Sequence, residues 1–237
     1  MTTWLVTGAS RGLGFGLVKH ILAASKDNTV FAACRNPSTA NQLTELASSS
    51  EPDKLHIVKL DVADESTIAE AAKEVGSILS QKGLALDYLI NNAGISTAHD
   101  TPMTATSKNL MDTLLTNTVG PFLVTQHFMP YLEKSAKPVL MNMSSGLGSI
   151  TNADTSFQAG YRTSKAALNL FTKQLSVEKP EVIVFAMAPG WVKTDLAGPS
   201  AALTVDFSVS NMLKVLANVT KKDSGTFVNY SGAVLPW

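Results

Sequence analysis

Tyr161 and Lys165 stand four residues apart in Gly160-Tyr161-Arg162-Thr163-Ser164-Lys165, and Ser145 precedes the tyrosine by sixteen residues. On a helix, residues i and i+4 share a face, so a lysine ammonium placed there lies beside the phenol. A free phenol has a pKa near ~10 and exchanges protons poorly at neutral pH. A neighbouring ammonium favours the phenolate and lowers that value. Ser145, in Asn142-Met143-Ser144-Ser145-Gly146, offers a hydroxyl that can bond a developing oxyanion. Ser144 is its rival, and alternation at a strand end turns only one of the two toward a site.

A second chemistry lies at the front of the chain. The strand-like run Thr3–Thr7 leads into Gly8-Ala9-Ser10-Arg11-Gly12-Leu13-Gly14. Glycines between a first strand and a first helix let the backbone approach a pyrophosphate, and the helix N-terminus supplies amide donors. The spacing Gly8, Gly12, Gly14 is Gly-x-x-x-Gly-x-Gly, which departs from Gly-x-Gly-x-x-Gly and from the phosphate-loop pattern. A nucleotide loop upstream of an activated phenol reads as a proton donor serving a hydride-transfer cofactor.

These residues need a scaffold that brings distant segments together. Strand-like runs occur near Thr3–Thr7, Thr29–Cys34, Leu55–Leu60, Asp87–Asn91, Val139–Ser144, Val182–Ala188 and Thr226–Tyr230. Helix-like stretches fall between them, near Gly12–Ala24, Ser38–Ala47, Glu65–Gln81, Ser107–Leu132, Tyr161–Glu178 and Ala201–Val219. Such alternation predicts an α/β fold, a doubly wound Rossmann-type domain with a parallel sheet of about seven strands flanked by helices. Gly120-Pro121 predicts a kink inside the helix over 107–132. With no linker or repeat, residues 1–237 read as one domain, a cofactor half to about 135 and a catalytic and substrate half after it.

Composition narrows the partners. Nineteen basic residues balance nineteen acidic ones, which argues against nucleic acid or an anionic membrane. The longest apolar stretch, Val182–Pro189, is too short to span a bilayer, and no leader-like segment opens the sequence, so the expected location is cytoplasmic. Cys34 is the only cysteine, and the four histidines show no metal-ligand spacing, so no metal is expected. His99-Asp100 reads as a surface loop.

With these motifs in hand, the chain resembles the short-chain dehydrogenase/reductase superfamily from its first strand to about Thr194. The resemblance implies that Gly8, Ser10, Arg11, Gly12, Leu13 and Gly14 hold the cofactor. It adds Asp61 and Val62 after the third strand, Asn91, Ala93 and Gly94 of Asn91-Asn92-Ala93-Gly94, and Pro189, Gly190, Val192 and Thr194 flanking the nicotinamide. Ser145, Tyr161, Lys165 and Asn117 match the catalytic set, with Tyr161 and Lys165 also touching the cofactor. Lys165 would bond the nicotinamide ribose and Asn117 would hold a water in a proton relay. Asp61 reads nearly as well as a turn or helix-cap aspartate.

Within the superfamily, Leu147-Gly148-Ser149-Ile150 and Gly190-Trp191-Val192-Lys193-Thr194 look like the branch of the sniffer carbonyl reductases, the bacterial C-factor and some fungal ketoreductases. The implied function is NADPH-dependent reduction of a ketone or aldehyde; a catalytically silent nucleotide-binding or scaffold protein on the same fold is the alternative. NADP is favoured because Cys34 stands where an NAD-binding acid would, with Arg35 next and Arg11 in the glycine loop to hold a 2′-phosphate. Apolar residues without arginine in 146–159 and 190–207 imply a neutral, fairly hydrophobic carbonyl compound. For any one of Leu147, Ile150, Phe157, Trp191, Leu196 and Phe207, core packing is the simpler expectation. Leu110, Leu114, Phe122, Phe128, Leu168, Phe171 and Leu175 exceed one sheet-facing stripe, so a homodimer is expected.

Overall fold

A computed structural model describes residues 1–96 and 99–237. Seven parallel strands form one sheet in the order β3-β2-β1-β4-β5-β6-β7. They are β1 (Thr2–Thr7), β2 (Asn28–Cys34), β3 (Leu55–Lys59), β4 (Tyr88–Asn91), β5 (Val139–Met143), β6 (Ile183–Ala188) and β7 (Phe227–Asn229). The helices are α1 (Gly12–Ala24), α2 (Asn41–Ser49), α3 (Glu65–Gln81), α4 (Ser107–Leu114), α5 (Gly120–Leu132), α6 (Ala159–Glu178) and α7 (Val205–Asn218).

Strand alternation sends successive side chains to opposite faces, and both faces are covered. Trp4 and Val6 of β1, Val30 and Ala32 of β2, and Met141 and Phe185 further on pack with Leu17 and Ile21 of α1 and Met212 and Leu216 of α7. Leu5, Phe31, Leu140 and Val184 point the other way, into a core with Ile68 and Val75 of α3, Phe128 of α5 and Leu168 of α6. Because β1 lies between β2 and β4, the chain winds outward in both directions from that pair. The carboxyl ends of β1 and β4 therefore flank a crevice, the switch point where open α/β sheets bind ligands.

Three predicted helices differ from those observed. The stretch 107–132 is interrupted by a π-helical turn at Leu115–Val119, just ahead of the expected kink, where the Gly120 N–H donates to the Leu115 carbonyl. Pro121 then has no N–H to offer the carbonyl of Asn117, four residues back. The last helix begins at Val205, capped by the Thr204 hydroxyl at 3.2 Å from the Phe207 amide, instead of at Ala201. Residues before it are taken by a bridge to the chain after β6: Lys193 N–H donates to Leu203 O at 2.8 Å and Leu203 N–H to Trp191 O at 2.9 Å. The second helix is split, a 3-10 turn at Pro37–Thr39 preceding α2.

Candidate active site

Ser145 leaves the end of β5, and Tyr161 and Lys165 project from the first turns of α6. The Ser145 hydroxyl, which accepts from the Leu147 amide at 3.2 Å, lies near enough to the Tyr161 phenol to act on its pKa. The Lys165 ammonium is buried, donates to the Met143 carbonyl at 2.7 Å and lies 5.7 Å from the centroid of the Tyr161 ring. Burial pushes the phenol above its ordinary pKa, and the Ser145 hydroxyl draws it partly back. Burial also lowers Lys165 to about 8. The expected lowering of Tyr161 by the lysine is thus not what dominates here: desolvation does. It leaves a phenol that keeps its proton at neutral pH.

The two adjacent serines separate as strand geometry requires. The buried Ser144 hydroxyl donates to Asn169 Oδ1 at 2.6 Å, away from the phenol. Asn169 then donates through Nδ2 to the Gly148 carbonyl at 3.2 Å, so α6 clasps the turn after Ser145. A Cβ at Gly148 would lie 2.8 Å from Lys165 Cβ and 2.9 Å from its carbonyl carbon, so only glycine lets that turn rest on the helix.

Asn117 sits in the π-helical turn, fully buried. Its Oδ1 accepts from Ile95 N–H at 2.8 Å, and its Nδ2 donates to Ile95 O at 2.8 Å and Ser164 Oγ at 3.0 Å. The segment after β4 is thereby fixed against α6. A Cβ at Gly94 would stand 3.2 Å from Asn117 Oδ1 and 3.5 Å from Lys165 Nζ, which places Gly94 beside both.

The glycine loop opens on the β1–β4 crevice. Gly8 has φ +66°, and a Cβ there would meet the Ala93 Cα at 2.9 Å. Arg11 precedes α1 without a side-chain cap, and the first turn of α1 carries no acid. Its leading amides are therefore free of side-chain competition for an anion. Close backbone, glycine at the approach and an uncapped helix start fit a dinucleotide pyrophosphate. Gly12 lies 3.5 Å, measured from a built Cβ, from Thr194 Cγ2. Thr194 thus faces the loop, and Pro189, Gly190 and Val192 precede it on the chain after β6, with Gly190 against Leu203 and Tyr230 and Val192 bridged to Leu203. Arg11 is exposed and paired with Asp195 at 2.9 Å.

The other residues of the expected cofactor set have the following surroundings. The Asn91 side chain is buried between β4, β5 and α5, donating to Asn142 Oδ1 at 2.9 Å and Thr125 Oγ1 at 3.2 Å. Val62 is buried with its carbonyl against Gly120. Asp61 accepts from the Ala63 amide at 3.0 Å, the turn geometry of the plainer reading. Leu13, in the first turn of α1, packs partly buried on the core, and Ser10 stays half-buried in the loop. Cys34 is buried in the core, so Arg35, exposed after it, is the residue of the β2 end that reaches solvent.

The residues that sequence reasoning passed over are mostly ties between segments. Asn92 donates through Nδ2 to Thr7 O at 2.8 Å, and the Thr7 hydroxyl accepts from the amides of Asn92 and Ala93 at 3.0 and 3.1 Å. These bonds hold the glycine loop to β4. Asp100, expected in a surface loop, is buried: its carbonyl accepts from Ala159 N–H at 3.3 Å and its carboxylate from Gly160 N–H at 3.5 Å, at the start of α6. Its neighbour His99 is exposed. Core packing fails as an account of Ile150, Phe157, Trp191, Leu196 and Phe207, which are all exposed, while Leu147 is half-buried. Among the described residues no group of three or more His, Cys, Asp or Glu could hold a metal, and no helix is long and apolar enough to cross a membrane.

The family model for short chain dehydrogenases matches residues 2–203. The fold superposes on an NADPH-bound carbonyl reductase from chicken fatty liver with a TM-score of 0.94, at 42% identity over 100% of this chain and 99% of that one. The carbonyl reductase Sniffer of D. melanogaster gives 0.93, at 35% identity over 100% of both chains. An uncharacterized oxidoreductase of Schizosaccharomyces pombe is 32% identical over 99% of this chain and 97% of its own length. With the glycine loop, the switch-point crevice and the serine, tyrosine and lysine assembled at its rim, this chain belongs to the short-chain dehydrogenase/reductase family, as an oxidoreductase of its sniffer-like branch.

Proposed function

We propose that the protein reduces the carbonyl of a neutral, largely apolar small molecule to an alcohol with NADPH. The observation that carries this reading is the Tyr161 ring 5.7 Å from the buried Lys165 ammonium on the first turns of α6, with Ser145 at the end of β5, beside the β1–β4 crevice. The cofactor, when bound, supplies the hydride. Tyr161 gives its proton to the carbonyl oxygen as negative charge builds there, and Ser145 bonds the same oxygen. Lys165 orients the cofactor ribose. The Asn117 carbonyl, left without the N–H that Pro121 lacks, holds a water through which the phenol regains its proton from solvent.

NADPH is favoured over NADH by the β2 end. No acid stands there, Arg35 is exposed for a charge-assisted bond to a 2′-phosphate, and Arg11 can join it by leaving its exposed pair with Asp195. The apolar substrate class rests on Ile150, Phe157, Trp191, Leu196 and Phe207, exposed on and after the segments that follow β5 and β6. A substrate panel tests it: kcat/KM should rise with apolar bulk near the carbonyl and fall for keto acids and sugar phosphates. A clear preference for a charged substrate would overturn the class, and no turnover with any carbonyl would favour a silent binding protein. Pairing of two copies through α4, α5 and α6 belongs to the same proposal. Met111, Leu115, Leu170 and Val177 are exposed there, beside a groove of about 560 Å³ lined by Phe122, Met129, Phe171 and Leu175.

A further inference from the structure

We infer that Trp237 is a positioning residue: its main-chain oxygen anchors the loop that carries Ser145 and so fixes where that serine stands next to Tyr161. The inference rests on the reductase reading above for its catalytic consequence, and on geometry alone for the anchor.

After Ser145 the chain makes a 3-10 turn at Gly146–Gly148 and then meets Trp237. Thr151 donates to the Trp237 oxygen through its amide at 3.0 Å and its hydroxyl at 2.9 Å, and the buried Ser149 hydroxyl is 3.3 Å away. Ser149 Oγ also accepts from Asn152 N–H at 3.2 Å, so the contact orders the loop on both sides.

Trp237 is itself placed by a fold-back of the chain after β7. Asn229 Oδ1 accepts from the amides of Ser231 and Ala233 at 2.9 and 3.0 Å, and Gly232 takes φ +87° to close the turn. The returning chain bridges Val234 to Val228 antiparallel, and Leu235 N–H donates to Phe227 O at 2.7 Å. The indole then stacks on the fully buried Phe227 ring, with centroids 5.7 Å apart and planes 21° apart. The ring is the handle, and the oxygen it positions is the anchor.

The need for an anchor follows from the sixteen-residue interval between Ser145 and Tyr161. Ordering each backbone residue of such a loop costs about 1–2 kcal/mol of conformational entropy. Its far half is held from α6, where Arg162 donates to Phe157 O at 3.0 Å and Thr155 Oγ1 at 2.5 Å. Its near half, next to Ser145, is held by Asn169 and Trp237. A displacement of about 1 Å in a positioning element can cost roughly a hundredfold in rate.

The test compares the native 237-residue chain with Trp237→Ala, which removes the handle, and Trp237→Phe, which keeps a stacking ring. Hydrogen exchange should be about tenfold or more faster at amides 146–152 in Trp237→Ala, unchanged at the glycine loop, and native-like in Trp237→Phe. With NADPH and the best carbonyl of the panel, kcat should fall about tenfold or more while the NADPH Kd stays put. The alkaline limb of reduction should move to higher pH, because a displaced Ser145 no longer stabilises the phenolate; Lys165, the titratable neighbour, is the same in all three proteins. Unchanged exchange at 146–152 overturns the anchor. Faster exchange with native kcat and an unmoved limb overturns the positioning role, and so does faster exchange throughout the chain. A native chain that reduces no carbonyl sinks the reductase reading alone. Exchange at 146–152 and a spectroscopic titration of the phenol, native minus Tyr161→Phe, then decide the anchor: faster exchange with a raised phenol pKa upholds it, and no change in either overturns it.

Discussion

Burying the Lys165 ammonium against the Met143 carbonyl brings its pKa from 10.5 to about 8. The folded protein thus releases this proton near pH 8, whereas the unfolded chain holds it to about 10.5. Between those values the unfolded state binds more protons, so stability rises with pH, by about 3 kcal/mol from this group. Lys165→Met lacks the titration. Urea unfolding at both pH values should show the native protein gaining about 3 kcal/mol on the variant from pH 8 to 10.5. A pH-independent gap would contradict the buried-cation account. The serines give a second residue-scale prediction. Ser145→Ala, which removes the hydroxyl placed to bond the carbonyl oxygen beside the phenol, should lower kcat by about a hundredfold or more. Ser144→Ala breaks a bond to Asn169 and should chiefly cost stability, about 1 kcal/mol or more, in the same unfolding experiment. The opposite ranking would show that the wrong serine has been placed beside the phenol.

At the level of elements, the glycine at the serine turn is a sharp constraint. Gly148→Ala brings a methyl group within 2.8 Å of Lys165 Cβ and 2.9 Å of its backbone carbon. Overpacking of this kind costs about 1–3 kcal/mol, and here it pushes the turn off α6. The variant should lose most of its turnover yet bind NADPH normally by fluorescence titration, since the glycine loop lies at β1; an equal loss of both would contradict the separation. The end of β2 offers another test. Cys34→Asp would bury a carboxylate in the core and destabilise the fold, so the informative exchange is Arg35→Asp, which should shift kcat/KM from NADPH toward NADH. Elements defined by local pattern were legible in the sequence: α1 and α3 begin and end where residue pattern puts them, and the continuous apolar run of β6 marks a strand covered on both faces. What depends on distant partners was not. The start of α7 is set by pairing of Leu203 with Trp191 and Lys193. Asn92 bonds Thr7, Asp100 bonds the start of α6, and Asn169 bonds Ser144, links across tens of residues that no local periodicity announces. Cys34 could be placed at the strand end, but which way it points depends on sheet register, and register turns it into the core.

The whole molecule is a crevice between two wings of one sheet, and a ligand that bridges the wings should hold them together. Binding to the native state alone stabilises it by RT ln(1 + [L]/Kd), about 2.7 kcal/mol at a hundredfold excess over Kd. NADPH should therefore raise Tm more than NADH at equal concentration, and equal shifts would contradict the 2′-phosphate assignment. Part of the apolar excess behind the expected dimer is satisfied within one chain: Phe128, Leu168 and Leu175 are buried in the core, and Phe122 stacks on Phe171 at 3.5 Å. Leu110 and Leu114 are half-buried; a second copy would instead cover Met111, Leu115, Leu170 and Val177, which are exposed on the same stretches, and light scattering at micromolar concentration should then give twice the 25.1 kDa chain mass. A monomer mass would remove the dimer without touching the chemistry. In the proposed reaction the chemistry rests on one oxygen, that of Tyr161. Tyr161→Phe keeps the ring and its packing and deletes the hydroxyl, so the central measurement is NADPH-dependent turnover of the best carbonyl substrate by this variant, alongside its circular dichroism and NADPH affinity. The account predicts a native spectrum, NADPH binding within a few-fold of native, and kcat reduced by about a hundredfold to ten-thousandfold. A folded, NADPH-binding Tyr161→Phe protein that turns over at a rate comparable to native would contradict it.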